Sequence, residues 1–329
     1  MALSGVHELN KIFIFILEQI RNYNTKLIQS SDRHRCLSFD YQGQAASDFI
    51  KEMLSGNKPC MICRFGSNEL AATLNTIDIN SSDSLISKSL AYIRGDIGPF
   101  WWDENIKYLM RNFAGFFPAN DAFLNKFARL MLNDIQNTDI FGSWLVDEIR
   151  LKKFFPNAKI VPLMDLEPYY HANPWSEALE GKRVLVIHPY EESIKRQYDK
   201  HAVLFGDPRI LPTFELMTLK AVQSIAANKT GFSNWFDALA WMCRRVRDLD
   251  FDIAIIGAGA YGLPLASFVK KSGKKAIHLG GATQILFGIK GKRWDELPFF
   301  KQLYNENWVR PLPTETPDNF QMVETGCYW

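Results

Sequence analysis

The chain has 329 residues, of which 47% are hydrophobic and 22% charged, and its formal net charge is +2. This composition is typical of a globular protein, and the near-neutral balance argues against a nucleic-acid-binding protein. The longest apolar run near the start covers residues 12–17, far short of the about 20 residues that span a bilayer, and no signal-peptide pattern precedes it. We therefore expect a cytoplasmic protein without a transmembrane segment.

The first half of the chain predicts helices around one short strand. Residues 8–29 carry apolar side chains at helical spacing and predict an amphipathic helix that packs on the body or joins two copies of the chain. A helix, a strand and a second helix are predicted over residues 45–54, 59–65 and 69–74. Ser67 is a suitable cap for the second helix. Residues from about 85 to 155 predict a helical, aromatic-rich insertion.

The second half alternates strands with helices. The predicted strands cover residues 159–163, 183–187, 251–256 and 275–279. The predicted helices cover residues 192–204, 216–226, 234–248 and 263–271, with a short one from about Thr283. Such alternation predicts a doubly wound, mostly parallel, Rossmann-like α/β sheet with its ligand site at the carboxyl ends of the strands. We expect an N-terminal helical segment, residues 1–57, followed by this domain, residues 58–329.

The clearest motif is a glycine-rich turn that follows a buried strand. Gly257, Gly259 and Gly262 form a G-x-G-x-x-G turn, with Tyr261 inside it, which lets a phosphate approach backbone amides. An NAD-binding site would also have an acidic residue about 20 positions further on, where residues 279–281 are leucine and glycines. The alternative is that the glycines only allow a helix to pack closely on the strand.

A second glycine turn adds candidate donor-binding residues. It follows the strand at 275–279 and contains Gly281, Thr283 and Gln284. Beyond it, Lys292 and Arg293 form a basic cluster suited to a diphosphate or to the face of a sugar. A solvated charged turn is the alternative.

The turn after the strand at 183–187 begins a helix with titratable residues. His188 or Glu192 could act as a general base toward an acceptor hydroxyl, since either would stand at the end of a strand. Ser193 is a further candidate for binding the donor at the start of this helix. His188 could instead only fix its own turn.

The turn after the strand at 59–65 contains Arg64, Gly66 and Glu69. Arg64 supplies a cation for phosphate, and Glu69 could reach a divalent cation or a sugar hydroxyl. Asp165 and Glu167 follow another strand with a D-x-E spacing, which could pair two carboxylates or could be a solvated turn.

These motifs resemble those of a bacterial family of GT-D-like glycosyltransferases, relatives of the GT-D-fold enzymes that use nucleotide sugars. The resemblance spans most of the chain and is carried by residues 64–69, 166–169, 174–176, 188–197, 257–265, 278–294 and 326–329. In the established GT-D enzymes the first stretch reads Arg-Phe-Gly-Asp-x-Glu, and its two acids bind a divalent metal and the donor. Here Ser67 stands at the first acidic position, while Arg64, Gly66 and Glu69 match.

The resemblance implies a glycosyltransferase that moves a sugar from a nucleotide diphosphate sugar to a saccharide or lipid-linked saccharide, in cell-surface polysaccharide synthesis. It implies Mn²⁺ or Mg²⁺ at Glu69, held with the help of the donor, and no tightly bound organic cofactor. Peripheral contact with the inner face of the membrane and a homo-oligomer remain open. Two alternatives are a nicotinamide-dependent oxidoreductase and a non-catalytic nucleotide-binding or scaffold protein.

Overall fold

The computed structural model of the protein describes residues 10–27 and 36–329, with the backbone alone for residues 25–27. Seven strands form one sheet, namely β1 (Met61–Cys63), β2 (Ile140–Ser143), β3 (Lys159–Pro162), β4 (Arg183–His188), β5 (Glu215–Lys220), β6 (Ile253–Ile256) and β7 (Lys275–His278). Their order is β3-β2-β1-β7-β6-β4-β5, and every pairing is parallel. The predicted Rossmann-like α/β class is confirmed.

Helices cover both faces of the sheet. They are α1 (Lys11–Leu27), α2 (Gln44–Ser55), α3 (Ser67–Asn80), α4 (Leu85–Arg94), α5 (Glu104–Asn112), α6 (Asp121–Asp134), α7 (Glu191–Tyr198), α8 (His201–Leu204), α9 (Trp235–Arg247), α10 (Gly262–Lys271), α11 (Ala282–Leu286), α12 (Lys292–Asp295) and α13 (Pro298–Leu303). Among the described residues, no helix is both long enough and apolar enough to cross a bilayer.

Side chains alternate between two cores along the strands. On β4, Leu185 and Ile187 enter the core that α3, α5, α6, α9 and α10 share, whereas Val184 and Val186 enter the core beneath α2, α7, α11 and α13. Strands buried on both faces must be apolar throughout. Each such side chain stabilises the fold by about 1.5–3 kcal/mol through burial.

Two strands lie where the sequence predicted helix. β2 belongs to the region 85–155, so that region is not a purely helical insertion: it supplies α4, α5 and α6 and then a strand between β1 and β3. β5 replaces the helix predicted over residues 216–226. Its residues pair with β4 over six positions, and this tertiary pairing overrides their helix propensity.

The predicted N-terminal segment does not pack as one unit. Ile50 and Leu54 of α2 are buried in the core of the main sheet, whereas Leu17 of α1 packs against Tyr92 and Phe100 in a small separate cluster. Residues 8, 9, 28 and 29 of the predicted first helix lie outside the described residues. Residues 44–55 therefore belong to the α/β body.

Candidate functional site

A cavity of about 350 Å³ lies at the carboxyl ends of the central strands. Arg64 follows β1, Gly257 follows β6, and His188 and His278 end β4 and β7. Ligands of doubly wound sheets bind at this edge, and the volume suits a small molecule. The cavity thus lies where the sequence predicted a ligand site.

Ten of the predicted site residues line the cavity and five do not. The ten are Arg64, Gly66, Glu69, His188, Gly257, Gly259, Tyr261, Gly281, Gln284 and Arg293. The five outside its lining are Glu192, Ser193, Gly262, Thr283 and Lys292.

Arg64 is a half-buried cation that forms no close ion pair with the other described residues. It forms no ion pair or hydrogen bond with any residue that the structure describes, and its Nε is buried without a partner. Its guanidinium lies over the ring of Trp144, 5.1 Å from the centroid. Burial lowers the pKa of Arg64, while Glu69 and Tyr328 act to raise it. A positive charge held in this way is suited to an anionic ligand.

Glu69 folds back over the turn that precedes α3. A Cβ atom at Gly66 would overlap the Glu69 carboxylate, so this glycine is needed to make room for the acid. The carboxylate accepts a hydrogen bond from its own backbone N–H, in the first turn of α3, where a negative charge is favourable. Burial raises the pKa of Glu69, and that hydrogen bond and Arg64 lower it.

The described residues at this turn do not provide enough ligands to hold a divalent cation by themselves. Mg²⁺ and Mn²⁺ prefer several hard oxygen ligands, and the described residues contain no group of three His, Cys, Asp or Glu side chains placed to hold a metal ion. Glu69 supplies one carboxylate at this turn, and Ser67 supplies none.

The three glycines of the G-x-G-x-x-G turn are needed for three different reasons. A Cβ at Gly257 would lie 2.7 Å from the Gly280 oxygen, and one at Gly262 would overlap the His278 ring. Gly259 has φ +52°, and a Cβ there would meet nothing closer than the Ala114 oxygen at 3.9 Å. Gly259 therefore leaves open space beside the backbone, as a phosphate would require.

Two buried histidines have fixed tautomers. The N–H of Tyr190 donates to Nδ1 of His188 at 3.0 Å, so Nε2 of the neutral ring carries the proton. Nδ1 of His278 lies 3.2 Å from the Ile256 oxygen, which can only accept, so Nδ1–H donates. Burial lowers the pKa of each to about 3, with Arg64 adding to the effect at His278. His188 therefore suits a hydrogen-bond donor better than a general base.

The start of α7 is occupied by a carboxylate from a distant part of the chain. Oε1 of Glu315 accepts the N–H of Glu192 at 2.7 Å, and the Ser193 hydroxyl donates to the same carboxylate. The Glu192 side chain pairs with Arg196 at 3.0 Å and is half exposed. Contrary to expectation, this helix start is not available to a donor phosphate.

The basic turn mainly holds the last described residues against the cavity. Nζ of Lys292 donates to the backbone carbonyl oxygen of Thr325 at 3.1 Å. Nε2 of Gln284 donates to the backbone carbonyl oxygen of Tyr328, also at 3.1 Å. Arg293 pairs with Glu324 and lies 4.8 Å from the centroid of the Tyr328 ring. Of these three basic or amide side chains, Lys292 lies outside the lining. The Thr283 hydroxyl is buried and has no partner among the described residues.

Comparisons with protein-family models, curated proteins and solved structures found no match. Function must therefore be inferred from the geometry of the cavity.

Several residues of the lining were not predicted as site residues. Glu167 faces the cavity, whereas its predicted partner Asp165 accepts the N–H of Gly43 at 2.7 Å. The hydroxyl of Tyr169 donates to Glu167, and burial raises the pKa of this acid to about 7. The aromatic members of the lining are Phe113, Trp144, Tyr190, Tyr261, Trp294, Tyr328 and Trp329. The sequence signal for the place of Glu167 in the lining was its position shortly after a predicted strand.

Proposed function

We propose that the protein is a glycosyltransferase of GT-D type that transfers a sugar from a nucleotide diphosphate sugar to a saccharide or lipid-linked saccharide. The observation that carries the proposal is Arg64, at the carboxyl end of β1, a cation that forms no close ion pair or hydrogen bond with any described residue. A diphosphate is a ligand that such a guanidinium binds well. The match of residues 64–69 to the GT-D motif, apart from Ser67, supports the same conclusion.

Arg64 would stabilise the departing diphosphate. When the bond between the anomeric carbon and the phosphate oxygen breaks, its electron pair leaves with the diphosphate, and negative charge accumulates there. A guanidinium already in position and partly removed from water stabilises that charge strongly. The open backbone at Gly259 and the guanidinium of Arg293 face the same cavity and would add to this effect.

The aromatic lining suits the remainder of the donor. Trp144 is 47% exposed although its ring lies over Arg64, so one edge or face of the indole is free for a ligand. Flat aromatic rings pack against nucleobases and against the apolar faces of sugars. This wall would bind the nucleoside or the sugar while Arg64 binds the phosphates.

The metal implied by the resemblance does not find a full set of protein ligands among the described residues. The Glu69 carboxylate accepts its own backbone N–H and keeps further acceptor sites for a donor hydroxyl. Arg64 supplies positive charge at this turn without a metal.

A nicotinamide-dependent oxidoreductase is less well supported. The chain continues after β7 with Leu279 and Gly280, and neither can hydrogen-bond a ribose hydroxyl through a carboxylate. A non-catalytic nucleotide-binding protein would use the same Arg64 and differs only in lacking turnover. A cytoplasmic location, with the lipid-linked acceptor met at the inner face of the membrane, belongs to the proposal.

The test is a binding panel followed by a transfer assay. Nucleoside diphosphates, nucleotide sugars and NAD(P)H are compared by thermal shift and calorimetry, because a ligand of the native state raises its apparent stability. Arg64→Ala should weaken binding of the best nucleotide sugar by about 10-fold or more. The control is Arg129→Ala, which changes an exposed residue of α6 and should leave this affinity unchanged. Tight NAD(H) binding with no response to any nucleotide sugar would overturn the proposal.

A further inference from the structure

Sugar transfer to a hydroxyl requires a group that accepts the hydroxyl proton. Within the described residues, five carboxylate or imidazole side chains line the cavity, namely Glu69, Glu167, His188, His278 and Glu324. A base must reach the acceptor and must be free of its proton when transfer begins. Each of the five can be judged by the hydrogen bonds it already makes.

The two histidines are poorly suited to this role. Nδ1 of His188 is used by the N–H of Tyr190, and the other nitrogen already carries the proton. The ring of His278 donates to the Ile256 oxygen and lies against Gly262, so it is held in place between β6 and α10. Burial lowers the pKa of both rings to about 3, which makes either one a weak base at neutral pH.

Two of the three acids are less suited to accept a proton. The Glu69 carboxylate lies in the first turn of α3, where the helix start and its own backbone N–H favour its charged form, and a carboxylate whose charged form is favoured is a weaker base. Glu324 forms an ion pair with Arg293 at 2.5 Å, and its side chain is 56% exposed. Water competes for an exposed carboxylate, and an ion pair makes it a weaker base.

Glu167 differs from the other acids in its surroundings. It lies after β3, on the wall of the cavity that Leu163 and Leu166 also form. Among the described residues, its carboxylate has one hydrogen-bond partner, the hydroxyl of Tyr169. The ring of Tyr169 is itself buried between Tyr170 and the aromatic residues of α13. Glu167 is therefore held in one orientation with acceptor capacity to spare.

We infer that Glu167 accepts the proton of the acceptor hydroxyl during transfer, an inference that rests on the proposed function. The acceptor oxygen forms a bond to the anomeric carbon as its proton moves to the Glu167 carboxylate. The bond from that carbon to the phosphate oxygen breaks, and its electron pair leaves with the diphosphate toward Arg64. A single displacement of this kind inverts the anomeric configuration.

The electrostatics of the wall agree with this role. Burial raises the pKa of Glu167 to about 7, while Tyr169 and Arg64 act to lower it. Burial, and after it the charge of Glu167, raises the pKa of the Tyr170 phenol. A base with a pKa near the working pH is present in both protonation states and is efficient in proton transfer.

The experiment compares Glu167→Gln and Glu167→Asp with the wild type. Turnover is measured with the best donor from the binding panel and with the acceptor that receives sugar in the transfer assay, and donor affinity is measured separately by calorimetry. The matched control is Glu180→Gln, an exposed acid on the loop before β4. The anomeric configuration of the product is read by NMR.

Glu167→Gln should lower turnover by about 100-fold or more, while donor affinity stays within about 3-fold of the wild type. Glu167→Asp, which keeps a carboxylate, should retain more turnover than Glu167→Gln, and Glu180→Gln should match the wild type. Unchanged turnover in Glu167→Gln, an equal loss of donor affinity, or a product of retained configuration would overturn the assignment. Absence of transfer by the wild type would instead reject the proposed function.

Discussion

The carboxylate of Glu315 accepts the backbone N–H of Glu192 at 2.7 Å. The Ser193 hydroxyl donates to the same carboxylate, and the Ser193 Oγ in turn accepts the N–H of Leu312 at 3.1 Å. A residue far along the chain thus caps the helix that begins beside the cavity. Negative charge at a helix start is stabilising, and here it also fixes the segment around Glu315.

We predict that Glu315→Ala lowers the free energy of unfolding by about 1–3 kcal/mol, because it leaves buried donors without an acceptor. Glu315→Gln should lower the free energy of unfolding less, since the glutamine amide oxygen can still accept these hydrogen bonds. Urea titrations of both variants test this. Glu306→Ala, in the loop that follows α13, is the control, and a loss no larger than that of the control would contradict the capping role.

We predict that Gly259→Ala weakens donor binding more than its effect on stability explains. A side chain at φ +52° is strained, and its Cβ would extend into open space of the cavity. Gly273→Ala provides the matched control: its φ is +80°, nothing lies near its Cβ, and it precedes β7 at the opposite edge of the sheet. Both variants should lose about 1 kcal/mol of stability, but only Gly259→Ala should bind donor less tightly.

Equal donor affinity in Gly259→Ala and Gly273→Ala would show that the donor phosphates do not bind beside Gly259. Gly259→Val should enlarge the effect, because a branched side chain fills more of the space. Unfolding of Gly259→Val together with normal donor binding by Gly259→Ala would assign the glycine to packing.

We predict that Mn²⁺ does not bind measurably in the absence of donor, because the turn supplies one acid and Ser67. A metal that binds together with the donor diphosphate should depend on Glu69 and be lost in Glu69→Gln. Arg64→Ala should lower the affinity for the donor even with a chelator present, since we expect the Arg64 guanidinium to contact the phosphate directly. Calorimetry with Mn²⁺ and with chelator tests all three statements, and strong Mn²⁺ binding by the free protein would refute the first.

We predict a pH-dependent stability difference between the wild type and Glu167→Gln. The folded protein raises the pKa of Glu167 from 4.5 to about 7, so folding favours the protonated acid. The contribution of Glu167 to the free energy of unfolding is complete below the pKa that this acid has in the unfolded chain. It is lost as the pH rises through about 7. The neutral amide has no such titration. Between about pH 5 and about pH 8, Glu167→Gln should therefore gain stability relative to the wild type, and a constant difference would contradict the shift.

Much of the fold could be predicted because the residues of most strands themselves carry the pattern that identifies a strand. Five predicted strands are confirmed with ends within two residues, since strands buried on both faces are continuous apolar runs. β2 could not be recognised from four residues among helices. β5 carries residues that favour helices, and only its pairing with β4 makes it a strand.

The site was predictable where its residues stand at the ends of predicted strands. Arg64, Gly259 and His188 stand at strand ends, so the chain topology brings them to one edge. The occupation of the α7 start by Glu315 depends on a contact across more than 100 residues. The isolation of Glu167 from Asp165 depends on the N–H of Gly43. No local pattern contains either partner.

The wall formed by Tyr328 and Trp329 has a consequence for biosynthesis. Arg64 lines the same cavity although it lies far from these two residues along the chain. Contacts between such distant positions require closure of a very long loop, which delays their formation relative to local ones. A chain synthesised only as far as residue 327 would hold Arg64 without the wall that Tyr328 and Trp329 form. Completion of the cavity therefore has to wait for the synthesis of these two residues.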